Sequence, residues 1–186
     1  MKCGVFEKVY TAQADVEVLN EAAPDFFWMT RDALMENVLL ALCRLTDPPS
    51  VGKNQNLCIG QLAIHPEVAM VPELATQVSA FSEVARQATA FARIRRDKCL
   101  AHRDLPHALR VDDNAMSTYT RRDVAAAMCA IAEVLNVIQQ HRTGDDVCFG
   151  DVSGFGDSHL LFQHLRAGLA SERERRRSLG IPEDNL

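Results

Sequence analysis

The fold is indicated most clearly by residues 72–102, which have the sequence PELATQVSAFSEVARQATAFARIRRDKCLAH. Pro72 suits the first turn of a helix, and the apolar residues after it step by alternating fours and threes, as on one face of an α-helix. They are Leu74, Val78, Phe81, Ala85, Ala88 and Ala92. The same stepping reaches Arg95, Cys99 and His102, so the apolar face of one long helix is predicted to become polar at its C-terminal end. A buried stripe that ends in Arg and His needs polar partners.

The N-terminal side of this helix is also predicted to be helical. Residues 5–20 form a weak first helix, and a stronger one opens at Pro24-Asp25 and is stopped by Asp47-Pro48-Pro49. Residues 50–55 are polar and are predicted to form a loop. A short helix then covers residues 56–64.

The C-terminal side continues the pattern. Residues 103–119 are predicted to form a loop rich in Asp, Arg and Pro, followed by a helix with Asp123 in its first turn. Four glycines between residues 144 and 156 mark a turn, and a last helix begins near Asp157. The fold class is therefore all-α: one domain, an up-and-down bundle of about five or six helices over residues 1–143, with residues 144–186 as a glycine-rich turn and C-terminal helical extension.

Composition excludes several classes of protein. The chain has 186 residues, 47% of them hydrophobic and 24% charged, with a net charge of −5, so a uniformly basic nucleic-acid coat is excluded. The longest apolar stretch is residues 124–132, against the ~20 residues of a membrane span, so we expect no membrane association. The six cysteines form no CxxC pair, and His159 and His164 are five residues apart, a spacing that does not suit two metal ligands on a helix. We expect a reduced, cytoplasmic protein with no metal site and no cofactor.

Positive charge is concentrated beside the polar end of the long helix. Residues 93–122 contain eight basic and four acidic residues, a net of +4, which leaves −9 on the remainder. A basic region on an acidic protein suits local binding of an anion such as a phosphodiester.

The residue types there match metal-free RNA cleavage, in which the 2′-hydroxyl is a built-in nucleophile. A histidine such as His102 can exchange a proton near neutral pH. An arginine stays charged and can hold phosphate oxygens. Asp97 can orient either group.

Two stretches resemble a known family. The segment Arg96-Asp97-Lys98-Cys99-Leu100-Ala101-His102 matches the motif of the HEPN superfamily, an Arg followed after four to six residues by a His. Asp97 stands where that family often has Asn or another polar residue. The continuation to Arg103-Asp104 and the upstream helix from Phe26-Phe27-Trp28 to Leu45 resemble the abortive-infection, AbiU-type branch. The resemblance covers roughly residues 20–140.

The resemblance implies a fold and an activity. HEPN domains are helical bundles that form homodimers, in which two motifs face each other and make one metal-independent ribonuclease site. By that analogy Arg96 stabilises the scissile phosphate and His102 is the general acid or base. Many relatives are toxins or defence effectors with a neutralising antitoxin, such as a nucleotidyltransferase. In one branch that enzyme modifies a Tyr two residues after the His, where this chain has Asp104.

Several alternatives stay open at this point. On a straight helix Arg95 shares a face with His102 whereas Arg96 is turned away by about 120°, so geometry favours Arg95 and the family pattern favours Arg96. Lys98 and Arg103 are candidates for RNA binding or ordinary solvated charge. The chain can also be a non-catalytic module that binds RNA or protein, or a nucleotide-binding regulator.

Overall fold

The computed structural model describes residues 2–100, 119–147 and 157–181, and it confirms the predicted all-α class. The bounds of the longer helices are α1 Lys2–Tyr10, α2 Gln13–Ala22, α3 Pro24–Thr46, α5 Pro72–Ala88, α7 Arg121–Thr143 and α8 Asp157–Ser178. The shorter elements are strands β1 Ser50–Val51 and β2 Asn54–Gln55, a 3₁₀ helix over Ile59–Ile64, α4 Pro66–Ala69, α6 Ala90–Arg95 and a π-helical turn over Arg96–Leu100. The predicted loop over 103–119 lies outside the described residues except for Tyr119. The homodimer and the division after residue 143 stay predictions.

The chain divides into two compact units, Met1–Val38 with Gly150–Leu186, and Leu39–Phe149. The first has an apolar core that contains Phe6 and Tyr10 of α1, Leu19 of α2 and Phe162 of α8. The single helix predicted over residues 5–20 is wrong, because the backbone becomes extended at Ala12 and separates α1 from α2. This break lets both helices direct apolar side chains into one cluster.

The second unit begins with the end of α3 and a short hairpin. Residues 50–55, predicted as a loop, pair as two antiparallel two-residue strands. Gly52 has φ +60°, a conformation that glycine adopts without the steric cost of a side chain, and it permits the two-residue connection. The short helix predicted from residue 56 begins three residues later and is a 3₁₀ helix.

The centre of this unit is the packing of α5 against α7. The buried positions are Leu74, Val78 and Ala85 of α5 and Val124, Ala127, Ile131 and Val134 of α7. Phe81, which the stripe predicted as core, is 37% exposed, whereas Thr89 is fully buried. At Phe81 and Ala88, the buried face of the helix therefore lies one residue further along the chain than predicted.

Helix α7 is bounded as its sequence predicts. Thr120 and Asp123 form a capping box at its start, and Gly144 adopts a left-handed conformation after its end. By length and composition alone α7 is also apolar enough to cross a membrane. Core helices of soluble proteins meet the same criteria, so this finding assigns no membrane; the cytoplasmic location stays a prediction.

Candidate functional site

The predicted long helix is interrupted at Thr89, and this interruption organises the site. The Thr89 hydroxyl lies 3.0 Å from the carbonyl oxygen of Ala85 and 3.1 Å from that of Arg86. Such bonds from a threonine to the preceding turn compete with helix geometry and bend helices. The chain accordingly leaves α5 at Ala88 and restarts as α6 at Ala90.

A buried polar network joins this bend to the end of α3. The hydroxyl oxygens of Thr46 and Thr89 are 2.7 Å apart, and Nη1 of Arg93 donates to both at 3.0 Å. Nη2 of Arg93 donates to the carbonyl oxygen of Arg86. Both threonines are buried, and buried hydrogen-bonded groups of this kind are costly to break. The network therefore fixes the end of α3 against the α5–α6 bend.

The motif segment begins where α6 ends. Residues Arg96–Leu100 form a π-helical turn. Such turns are rare in proteins, and many of those that occur lie at functional sites. The straight-helix geometry that favours Arg95 assumes 3.6 residues per turn up to His102, and the π turn breaks that assumption. His102 and Arg103 lie outside the described residues.

Arg96 is the motif residue with the best-defined surroundings. Its Nε donates to Oδ1 of Asp97 at 2.8 Å, and its Nη1 donates to the two carboxylate oxygens of Asp47 at 2.9 and 3.1 Å. The side chains of Arg96 and Asp47 are 26% and 24% exposed, whereas that of Asp97 is 62% exposed. Arg96 is thus held at a partly buried position by one carboxylate of its own segment and one from a distant helix end.

The remaining predicted residues lie nearby on the same segment. Arg95 and Lys98 are partly exposed and flank the Arg96–Asp97 pair. Phe91 of α6 stacks on Tyr119, the residue before the Thr120 cap, with ring centroids 5.4 Å apart. The structure therefore brings Arg95, Arg96, Asp97 and Lys98 together, next to α6, whose Phe91 contacts the residue preceding the α7 cap.

Asp47 is the partner of Arg96 that the sequence reasoning missed, because it was assigned only to the Asp-Pro-Pro helix stop. A carboxylate at a helix C-terminus is disfavoured by the helix dipole. An Asp directly after Thr46, the last residue of α3, therefore indicates a cationic partner elsewhere, and this signal was available in the sequence.

The contacts of Arg96 with Asp47 and Asp97 affect the pKa values of the groups around them. The hydrogen bond to Asp97 and the nearby Asp47 carboxylate raise the pKa of Arg96 above its ordinary value, against the opposing effect of burial. Burial raises the pKa of the neighbouring Cys43 thiol, although Arg96 acts to lower it. Arg96 is therefore a permanent cation, and Cys43 is kept in its unreactive thiol form.

A cleft of about 230 Å³ is lined in part by Asp47. Pro49, Ile59 and Ser82 are among its other lining residues. The buried hydroxyl oxygen of Ser82 makes no hydrogen bond to any residue that the structure describes. The cleft has room for a small molecule, and its charged lining residues are Asp47, Glu83 and Arg86.

Comparison with known proteins identifies the family. No curated protein and no solved structure matches the chain. The family model described as AbiU2, one of the HEPN families, matches residues 5–157. Since this range covers most of the 186 residues, the chain belongs to the HEPN AbiU2 family.

Proposed function

We propose that the protein is a metal-independent endoribonuclease of HEPN type that acts as a toxin or phage-defence effector. Arg96 and His102 are its catalytic residues. Its substrate is RNA, its functional form is a homodimer with a composite site, and its neutralising partner is an antitoxin such as a nucleotidyltransferase.

The observation that supports this proposal best is how Arg96 is held. The chain belongs to a family whose motif pairs an Arg with a His. In this chain two carboxylates bind the guanidinium of Arg96, at a π turn that ends two residues before His102. A cation used for transition-state stabilisation is expected to be oriented before the substrate arrives.

The proposed chemistry uses the substrate's own nucleophile. The 2′-oxygen attacks the adjacent phosphorus while the bond from phosphorus to the 5′-oxygen breaks. The 2′-hydroxyl loses a proton and the leaving 5′-oxygen gains one; His102 performs one of these two transfers, and water performs the other. Arg96 stabilises the charge that develops on the non-bridging oxygens. The products carry a 2′,3′-cyclic phosphate and a 5′-hydroxyl.

The ion pairs of Arg96 also favour a second candidate, a non-catalytic module that binds RNA or protein. An arginine whose charge is offset by Asp47 and Asp97 can serve to hold the end of α3 against the π turn. In that case the motif is retained for its structural role, and neither Arg96 nor His102 acts on a substrate.

A cleavage assay in EDTA separates the two candidates. The full chain is incubated with labelled tRNA and total RNA, beside Arg96→Ala and His102→Ala variants. We expect each substitution to lower the cleavage rate by about 100-fold or more, because each removes a group that acts only in the transition state. The wild-type products are expected to end in a 2′,3′-cyclic phosphate.

Arg166→Ala is the matched control. Arg166 is also paired with a carboxylate, that of Asp15, but the pair belongs to the unit that contains α1, α2 and α8. This variant should cleave RNA at the wild-type rate. Failure of the wild type to cleave any of these RNAs would favour the non-catalytic module, and full activity of His102→Ala would exclude His102 from the reaction.

A further inference from the structure

The guanidinium of Arg96 has three nitrogens, and the structure distinguishes them. Nε is bound to Asp97 and Nη1 to Asp47. Nη2 makes no hydrogen bond to any residue among 2–100, 119–147 and 157–181. Within the described part of the chain, its two N–H groups are the donors that Arg96 has left for a ligand.

Of the two carboxylates that bind Arg96, that of Asp47 is held in place more firmly than that of Asp97. Asp47 directly follows Thr46, whose hydroxyl is buried in the network with Thr89 and Arg93. Asp97 is exposed and adjacent in sequence to the arginine that it binds. A ligand-binding group is held best by residues that packing and hydrogen bonds have already fixed. Asp47 meets that condition, and Asp97 does not.

We infer that Asp47 is a positioning residue that orients Arg96 so that Nη2 is the nitrogen presented to the scissile phosphate. This inference rests on the proposed ribonuclease function. Asp47 itself touches neither the RNA nor the reacting atoms, and it acts through Nη1 of Arg96. The phosphate accordingly meets one end of the guanidinium rather than the fork formed by Nε and Nη2.

The charges of the carboxylates predict which kinetic constant changes. Asp47 and Asp97 offset the charge of Arg96, so this arginine adds little to the binding of ground-state RNA. Its oriented N–H groups gain strength when negative charge develops on the phosphoryl oxygens. Loss of the orientation should therefore lower kcat and leave KM nearly unchanged.

The test is a double-mutant cycle on RNA cleavage. We expect Asp47→Ala to lower kcat by about 10- to 100-fold, the effect that removal of the hydrogen-bond partner of a metal ligand has in metalloproteins. Asp47→Asn, which keeps one oxygen as acceptor for Nη1, should recover part of that loss. In an Arg96→Ala background, Asp47→Ala should change kcat by less than about twofold, because the residue through which it acts is gone.

Asp15→Ala is the matched control, since it removes a carboxylate that binds Arg166 in the unit that contains α1, α2 and α8, and its kcat should equal that of the wild type. A second measurement follows the Nε–H signal of Arg96 by NMR, which should move in Asp47→Ala and stay in Asp15→Ala. This readout reports on the guanidinium whether or not RNA is cleaved.

The outcomes are distinguishable. A wild-type chain that cleaves no RNA overturns the proposed function and the catalytic part of the inference with it. An active chain in which Asp47→Ala keeps or raises kcat, or changes KM alone, overturns the positioning role only. An Arg96 signal that is unmoved in Asp47→Ala also overturns it.

Discussion

Two regions of this chain join distant segments by arginine–carboxylate pairs, and they use them differently. In the unit that contains α1, α2 and α8, Arg173 binds Glu21 at 2.5 and 2.7 Å, on the surface of an apolar core. In the other unit, Arg96 binds Asp47 beside a buried network of hydroxyl groups. The arginine side chain is 48% exposed in the first pair and 26% exposed in the second.

The difference in exposure between the two pairs indicates which interactions stabilise each region. An exposed pair is screened by water and contributes about 0–1 kcal/mol, so the first region depends on its apolar cluster. A partly buried pair costs more to desolvate and is weak as a source of stability. Its presence beside Thr46 and Thr89 agrees with the positioning role proposed for Asp47.

The largest change in the free energy of unfolding is expected for a substitution in the apolar core. Phe162 is 4% exposed and packs in the cluster with Phe6 and Leu19. We expect Phe162→Ala to lower the free energy of unfolding by about 3–5 kcal/mol, because it removes buried contacts and leaves a cavity. Leu160→Ala is the control on the same helix, since Leu160 is half-exposed. Equal losses in both variants, measured by denaturant unfolding, would contradict an apolar source of stability.

A smaller effect is expected in the polar region. Thr89→Val keeps the shape of the side chain but removes the hydroxyl that contacts Thr46 and Arg93. We expect a loss of about 1–3 kcal/mol in the free energy of unfolding, because the buried Thr46 hydroxyl and Nη1 of Arg93 each lose one hydrogen-bond partner.

Thr76→Val is the matched control for this substitution. Its hydroxyl also binds a carbonyl oxygen four residues back on α5, but it is exposed, so the change should stay within about 0.5 kcal/mol. A Thr89→Val variant as stable as Thr76→Val would mean that the network does not hold the end of α3.

The local part of this arrangement was predictable from the sequence, and the long-range part was not. Pro24 and Pro72 mark the starts of α3 and α5, and Gly144 ends α7, because each residue acts within one turn of its own position. The contact between Asp47 and Arg96 spans 49 residues, and a periodic pattern carries no information about such a pairing. Only the misfit of an Asp at a helix C-terminus indicated it.

The same limit applies to the bend at Thr89. The stepping of apolar residues predicted a continuous helix, and it took Phe81 and Ala88 as core. A threonine is compatible with a helix interior by propensity, so its role depends on whether a buried partner exists. That partner is Thr46, 43 residues away, and only the packing of α3 against the bend supplies it.

The smallest effect is expected for the exposed pair, and it completes the comparison. We expect Arg173→Ala to lower the free energy of unfolding by less than about 1 kcal/mol, and a cycle with Glu21→Ala to give a coupling of about 0.2–1 kcal/mol. The coupling should shrink between 0.05 and about 1 M salt, because the Debye length falls to roughly 3 Å. Measurement by denaturant unfolding at both salt concentrations checks this. A coupling above 2 kcal/mol that resists salt would show that this pair behaves as a buried one, and the contrast with Arg96 and Asp47 would then lose its physical basis.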